Sequence, residues 1–188
     1  MVNVILCPIS GAPENEPVLD MAYAVAKDLN SHLDVLHVQP EAKESIPLMG
    51  EGMSVAMVED MIRIAETEAT ERTKRARQMF DASVGRHGLP IAERGSEASG
   101  ASVAWLKEHG REDEVIAWRG RLSDLIVVGR PGDSEDVLTP MVLNAALFET
   151  GRPVMVVPPK SESLARKRVA ISWNGSQQSE PSRLRSRY

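Results

Sequence analysis

Short apolar runs recur along this chain, and several have the length and β-branched content of buried strands. The first, VNVILCPI, is almost continuously apolar, which is typical of a strand buried on both faces of a parallel sheet. Each run ends at a proline, a glycine or a change to polar residues. The pattern predicts strands over residues 2–9, 33–40, 102–106, 125–128 and 153–159.

The segments between these runs carry apolar residues at helical spacing, with charged residues on the opposite face. Thr139 is a good N-cap and Pro140 suits the first helical position, so we expect the last helix to begin there. The spacing predicts helices over residues 16–29, 55–86, 112–122 and 139–150.

Strands that alternate with helices pair in parallel through right-handed crossovers. The expected fold is therefore α/β, a doubly wound parallel sheet with helices on both faces. In such sheets ligands bind at the carboxyl ends of strands, where the strand order reverses. The turns at Ser10-Gly11 and at residues 129–132 are the two places where a site is expected.

Charge and composition narrow the classes of function. The 188 residues carry a net charge of -5, which disfavours nucleic acid and anionic membranes as partners. No apolar run approaches the ~20 residues that span a bilayer. The opening lacks the pattern of a signal peptide, and the single cysteine, Cys7, cannot form an intramolecular disulfide, so we expect a cytoplasmic protein.

Three stretches resemble the universal stress protein family: VILCPISG at the start, DLIVVGRPG before the last helix, and RPVMVVPP after it. The resemblance covers residues 1–158. It implies a five-stranded parallel sheet in the order 3-2-1-4-5, of the Rossmann-like type that binds adenine nucleotides. It also implies the residues that would contact a nucleotide, which are Ile9, Ser10, Gly11, Val38, Gly129, Arg130, Gly132 and Thr139.

The nucleotide motif of the family is incomplete here. Nucleotide-binding members have two glycines separated by two residues, then nine residues, then Gly-Ser or Gly-Thr. Gly129 and Gly132 match the first half, but the second half falls on Val142-Leu143. An aspartate of the family is replaced by Ser10.

The residues around this motif also oppose phosphate binding. Pro140 removes one amide from the start of the last helix, where phosphate would bind. Asp133, Glu135 and Asp136 would repel phosphate oxygens, and Arg130 would offset only part of that repulsion. Two interpretations stay open: a turn that needs glycine for its backbone shape, or a weak ATP site.

The end of the chain repeats its beginning. ARKRVAISWNGSQQS resembles the first strand of a second stress-protein domain, with Gly175 aligned to Gly11, as in tandem members of the family. The residues that follow lack the apolar spacing of a helix. We expect a linker over residues 159–167 and an incomplete second domain over residues 168–188, either disordered or paired with another chain. The alternative is a basic tail with no role in the fold.

The last strand, Pro153 to Val157, should be an edge of the sheet, and in the family this strand pairs across a two-fold axis. We therefore expect a homodimer through it. The resemblance implies a non-catalytic stress-response module with a degenerate ATP site. The alternatives are an ATP-binding protein with slow hydrolysis, and a fragment without activity. The scattered histidines and serines form no metal-ligand spacing and no nucleophile elbow, so no catalytic or metal residue is predicted.

Overall fold

Five strands and four helices alternate along the chain in a computed structural model, which describes residues 2–41, 55–95, 100–131 and 138–159. Gly132, residues 160–167 of the predicted linker and the predicted second domain over residues 168–188 lie outside the described residues. In chain order the elements are β1 Val4–Pro8, α1 Asn15–Leu29, β2 His32–Gln39, α2 Val55–His87, β3 Ser102–His109, α3 Glu112–Arg121, β4 Leu125–Gly129, α4 Leu138–Glu149 and β5 Val154–Val157.

All strands are parallel, and the sheet order is β3-β2-β1-β4-β5, which confirms the predicted fold class and strand order. The chain moves outward from β1 to β3, then returns to the other side of β1 with β4. The reversal of strand order therefore lies between β1 and β4. This is the topological switch point of the sheet.

The core consists of two apolar layers, one on each face of the sheet. Side chains of β1 alternate between them: Ile5 and Cys7 pack with α1 and α2, whereas Leu6 packs with α3 and α4. Cys7 is fully buried, and burial raises the pKa of its thiol to about 12, so the thiol is an inert part of the core.

Several element boundaries differ from the sequence prediction. β1 covers Val4–Pro8 rather than residues 2–9, and β5 covers Val154–Val157 rather than residues 153–159. β3 continues to His109 rather than ending at Leu106, because its partner β2 continues to Gln39 and the ladder extends with it. α4 begins at Leu138, so Thr139 lies in the first turn and is not the residue before it. The side chain of Thr139 is outside the described residues.

Candidate functional site

The two predicted turns meet at the switch point. Ser10 follows β1, Gly129 ends β4, and both line one small cavity at the carboxyl edge. The cavity also touches Asn15, Glu112 and Val142. The described residues leave a volume of about 20 Å³ there, which is about the space of a single water molecule.

Asn15 closes the turn after β1. Its Oδ1 atom accepts hydrogen bonds from the backbone N–H of Ser10 at 2.9 Å, from the Ser10 hydroxyl at 2.9 Å and from the N–H of Gly11 at 3.1 Å. Asn15 is the first residue of α1, so the start of the helix fixes the turn that precedes it. Both amides therefore have an acceptor within the chain.

Gly11 is required by close packing of this turn against α2. Its φ is +86°, a left-handed conformation that favours glycine. A Cβ atom at this position would lie 2.7 Å from the carbonyl oxygen of Arg72 and 2.8 Å from the nitrogen of Ala76. The backbone of α2 therefore leaves no room for a side chain at residue 11.

Two further amides near the switch point are also used within the chain. The N–H of Ile9 donates to the carbonyl of Leu36 at 2.8 Å. The N–H of Arg130 donates to the carbonyl of Val157 at 2.8 Å, which extends the β4–β5 ladder. The described amides of Ile9, Ser10, Gly11 and Arg130 thus all have partners inside the protein.

Gly129 has a packing reason of its own. It is the last residue of β4 and does not adopt the left-handed conformation. A Cβ atom there would lie 3.1 Å from the Cγ2 of Val18 on α1. Close approach of α1, rather than the shape of a turn, accounts for this glycine.

Val38 does not reach the cavity in the described structure. It is 2% exposed and packs with Leu36, Val115 and Ile116 in the layer beneath α3 and α4. The side chain of Arg130 is exposed to solvent. Of the eight residues predicted to contact a nucleotide, the structure brings Ser10 and Gly129 together around the cavity.

His37 is a site residue whose role the sequence did not indicate. Its Nδ1–H donates to the carbonyl of Ile9 at 3.0 Å, and its Nε2 lies 3.0 Å from the Thr73 hydroxyl. The pKa of His37 is lowered, mainly by burial and also by the positive charges of Arg72 and Lys107. The hydrogen bond to Ile9 acts in the opposite direction but does not outweigh them. The neutral ring ties the end of β1 to α2.

A second polar cluster lies at the opposite, amino edge of the sheet. The Ser102 hydroxyl and His32 Nδ1 are 2.8 Å apart, and His32 Nε2 is 3.0 Å from Asp34, whose carboxylate also binds Arg94. Burial alone would raise the pKa of Asp34, but the hydrogen bonds from His32 and Arg94 outweigh it and lower this pKa. Ser102 is 4% exposed, and Arg94 already neutralises the carboxylate, so the cluster is a buried structural network.

Other site classes find no support in the described ranges. No three His, Cys, Asp or Glu side chains converge there in a way that could hold a metal ion. Nor does any described helix combine the length and apolarity needed to cross a bilayer.

Comparison with known proteins agrees with this fold. Universal stress protein UspA from Lactobacillus plantarum has 16% identity and a TM-score of 0.57, with 83% of this chain and 97% of that chain covered. Hypothetical protein MJ0577 has 19% identity and a TM-score of 0.55, covering 86% and 99%. A universal stress protein in complex with cAMP has 15% identity and a TM-score of 0.47, covering 84% and 98%.

These identities show similarity of fold alone, and among curated proteins there is no match. The sequence profile of the universal stress protein family matches residues 1–158, which is most of the chain. The chain therefore belongs to the universal stress protein family.

Proposed function

We propose that this protein is a non-catalytic stress-response module whose ATP site is degenerate. The observation that carries the proposal is the set of three hydrogen bonds accepted by Asn15 Oδ1 from Ser10 and Gly11. A nucleotide that used these amides would first have to displace Asn15. At about 1 kcal/mol for each bond, the displacement costs about 3 kcal/mol, or roughly 100-fold in affinity.

Charge supports the same proposal. Glu112, in the first turn of α3, lines the switch-point cavity and contributes a carboxylate to it. In sequence, Asp133, Glu135 and Asp136 follow β4 and add three more carboxylates. Like charges in a partly desolvated crevice repel phosphate oxygens.

Titration calorimetry of the full chain with ATP and magnesium tests this proposal. We expect no micromolar binding by the natural sequence. A repaired variant should bind at least tenfold more tightly, because it places Gly-Ser in the first turn of α4 and lowers the negative charge around the switch point by one. It combines Ser10→Asp, Pro140→Gly and Met141→Ser with neutral residues at Asp133 and Asp136.

A control variant with Asp28→Asn and Glu93→Gln removes two exposed carboxylates that do not line the cavity. It should bind no better than the natural sequence. An equal gain in the control, or no gain in the repaired variant, would show that the motif and the local charges do not set affinity.

The second candidate function is ATP binding with slow hydrolysis or with a nucleotide-switch role. The observation in its favour is that the turns at Ser10 and Gly129, which come from distant parts of the chain, meet at the switch point. Micromolar ATP binding together with ADP release by the natural sequence would establish it in place of the first proposal.

We also propose that the protein is a homodimer through the edge strand Pro153 to Val157. β5 pairs with β4 on one side, and by strand alternation Val154 and Val156 turn their backbone groups to the other side. Val156 is 39% exposed, and Phe148 on α4 is 81% exposed. An apolar edge of this kind is usually paired.

Light scattering after size-exclusion chromatography tests the dimer. The natural sequence should have twice the mass of the chain, and Val156→Lys should give a monomer, because it places a charge in the interface. Lys27→Ala, on the exposed end of α1, is a matched surface control and should stay dimeric. A monomeric natural sequence would overturn the proposal.

The domain organisation is a proposal as well: a stress-protein domain over residues 1–158, a linker over 159–167, and an incomplete second domain over 168–188. It rests on the repeated sequence pattern and on the family match to residues 1–158. Residues 1–158 expressed alone should unfold in one cooperative transition. We further propose a cytoplasmic location, consistent with a single buried cysteine, which a fluorescent fusion would test.

A further inference from the structure

At its start, the outer edge of β3 is paired with the short segment Pro90 to Ala92. The N–H of Val103 donates to the carbonyl of Pro90 at 2.9 Å, and the N–H of Ala92 donates to the carbonyl of Val103 at 3.0 Å. On the other side, the N–H of Gly110 donates to the carbonyl of Gln39, the last residue of β2. Odd-numbered residues of β3 therefore turn their backbone groups outward, and even-numbered residues turn theirs towards β2.

The rest of this edge has no described partner. By the same alternation, Trp105, Lys107 and His109 direct their N–H and C=O groups outward, and within the described ranges nothing pairs with them. A row of such groups is a template for an added strand. The other edge offers less, because β5 has four residues and prolines at 153 and 158 flank it.

The outer edge of β3 and the cavity at its carboxyl end together form the surface that we call the β3 edge groove. Along this edge, the guanidinium of Arg77 on α2 lies 5.6 Å from the ring centroid of Trp105. The cavity at the carboxyl end of β3 has a volume of about 480 Å³ and is lined by Gln39, Glu41, Glu66, Thr70 and His109 among others. The β3 edge groove thus combines backbone groups that have no described partner with a polar cavity.

The cavity is suited to positive charge. Glu41 and Glu66 both line it, and neither carboxylate forms an ion pair with another described residue. A cationic side chain entering the cavity would meet two carboxylates at the end of the strand edge.

One segment of this chain has the matching chemistry. Residues 166–168 are Arg-Lys-Arg, and residues 169–173, VAISW, alternate large apolar residues with small ones. This alternation is typical of a half-buried strand, and an isolated strand needs a sheet edge for stability. The basic residues 166–168 directly precede this predicted strand, just as the acidic cavity adjoins the carboxyl end of the β3 edge.

The segment can reach the groove. Pro159 follows β5 at the carboxyl edge, and the position beside β3 is five strand spacings away, or about 24 Å. Residues 160–168 can span up to roughly 30 Å when extended. A chain arriving from the carboxyl edge would then run down β3 in the antiparallel direction.

We propose that residues 166–173 dock in the β3 edge groove of their own chain. Val169 to Trp173 form an antiparallel sixth strand beside Trp105 to His109, and the basic residues 166–168 enter the cavity at Glu41 and Glu66. Residues 166–173 thus cover the outer edge of β3.

Cross-linking of the full chain tests the position of the segment. In the double variant Lys107→Cys with Ile171→Cys, a short bismaleimide should join the two residues within one chain, since facing residues of antiparallel strands are about 5 Å apart. The native Cys7 is buried and should not react. A matched pair, Val156→Cys with Ile171→Cys, places the first thiol on β5 and should react at least tenfold less.

Mass spectrometry separates the outcomes. A product of one chain mass in the first pair supports the proposal. A product of two chain masses would assign the groove to another copy, a higher yield in the β5 pair would assign the segment to β5, and no product in either pair would place the segment elsewhere. Each of these three results overturns the proposal.

Hydrogen exchange tests the same pairing without a fixed register. The Lys107 amide should exchange at least tenfold faster in Ile171→Pro than in the natural sequence, because proline interrupts the added strand. Arg168→Glu should also accelerate exchange, and a second change, Glu66→Arg, should restore protection. Equal exchange rates in the natural sequence and Ile171→Pro would contradict the docking.

Discussion

Removal of the Asn15 side chain should destabilise the protein by a predictable amount. Asn15→Ala deletes the one oxygen that accepts three hydrogen bonds, from Ser10 N–H, Ser10 O–H and Gly11 N–H. At about 1 kcal/mol each, the lost bonds cost about 3 kcal/mol. Alanine is a better helix former than asparagine by about 0.6 kcal/mol, so the expected net loss is about 2.4 kcal/mol.

Urea unfolding followed by circular dichroism measures this loss as a lower midpoint at an unchanged slope. Asn15→Asp is the matched control, because it retains an acceptor oxygen at the same place and should remain within about 1 kcal/mol of the natural sequence. The reasoning fails if Asn15→Ala stays within about 0.5 kcal/mol of the natural sequence, or if Asn15→Asp loses as much.

Three further predictions concern the same framework. Gly11→Ala should lower the free energy of unfolding by at least about 3 kcal/mol, because residue 11 has a left-handed φ and a Cβ atom there would clash with the Arg72 carbonyl. A loss below about 1 kcal/mol in urea unfolding would contradict this packing. Asp34→Asn should cost about 2 kcal/mol at pH 7, since Arg94 is 34% exposed and partly screened. The pKa of Asp34 is lowered in the folded state, so the extra stability of the natural sequence over Asp34→Asn should be complete above about pH 4. It should vanish as the pH falls through the folded pKa of Asp34. A stability difference that persisted in acid would show that the charge of Asp34 is not its cause. The pKa of His37 is also lowered in the folded state, so the unfolded chain binds the proton first and stability should fall as the pH drops below about 6.5. His37→Gln should lose less stability than the natural sequence between pH 7 and pH 5. Equal losses would exclude His37 as the source of the pH dependence.

The sequence predicted the elements whose signal is local. Apolar runs located β1, β2 and β4, and helical spacing located α1 and α2 to within one residue at most ends. The end of β3 was missed because Lys107, Glu108 and His109 lie on an edge strand, where polar side chains face solvent and the apolar pattern ends before the hydrogen bonds do. The strand order came from the family resemblance, since periodicity does not specify which strands are neighbours.

The site was less accessible to sequence reasoning. Asn15, five residues after Ser10 at the start of a helix, has the residue type that caps turns, but its three contacts depend on how α1 meets the end of β1. The role of His37 depends on α2, which supplies Thr73 from a distant part of the chain. Gly129 was correctly singled out, yet its cause is the approach of Val18, which only tertiary packing reveals.

The most direct test of the central claim is an NMR titration of the full chain with magnesium ATP, observed at the amide signals of Ser10 and Gly11. If Asn15 Oδ1 accepts hydrogen bonds from both amides, their signals should not shift at ATP concentrations up to about a millimolar. The binding free energy of ATP would then be at most a few kcal/mol. Saturable shifts of both amides at micromolar ATP would show that the switch point binds nucleotide, and would contradict the proposal of a degenerate site.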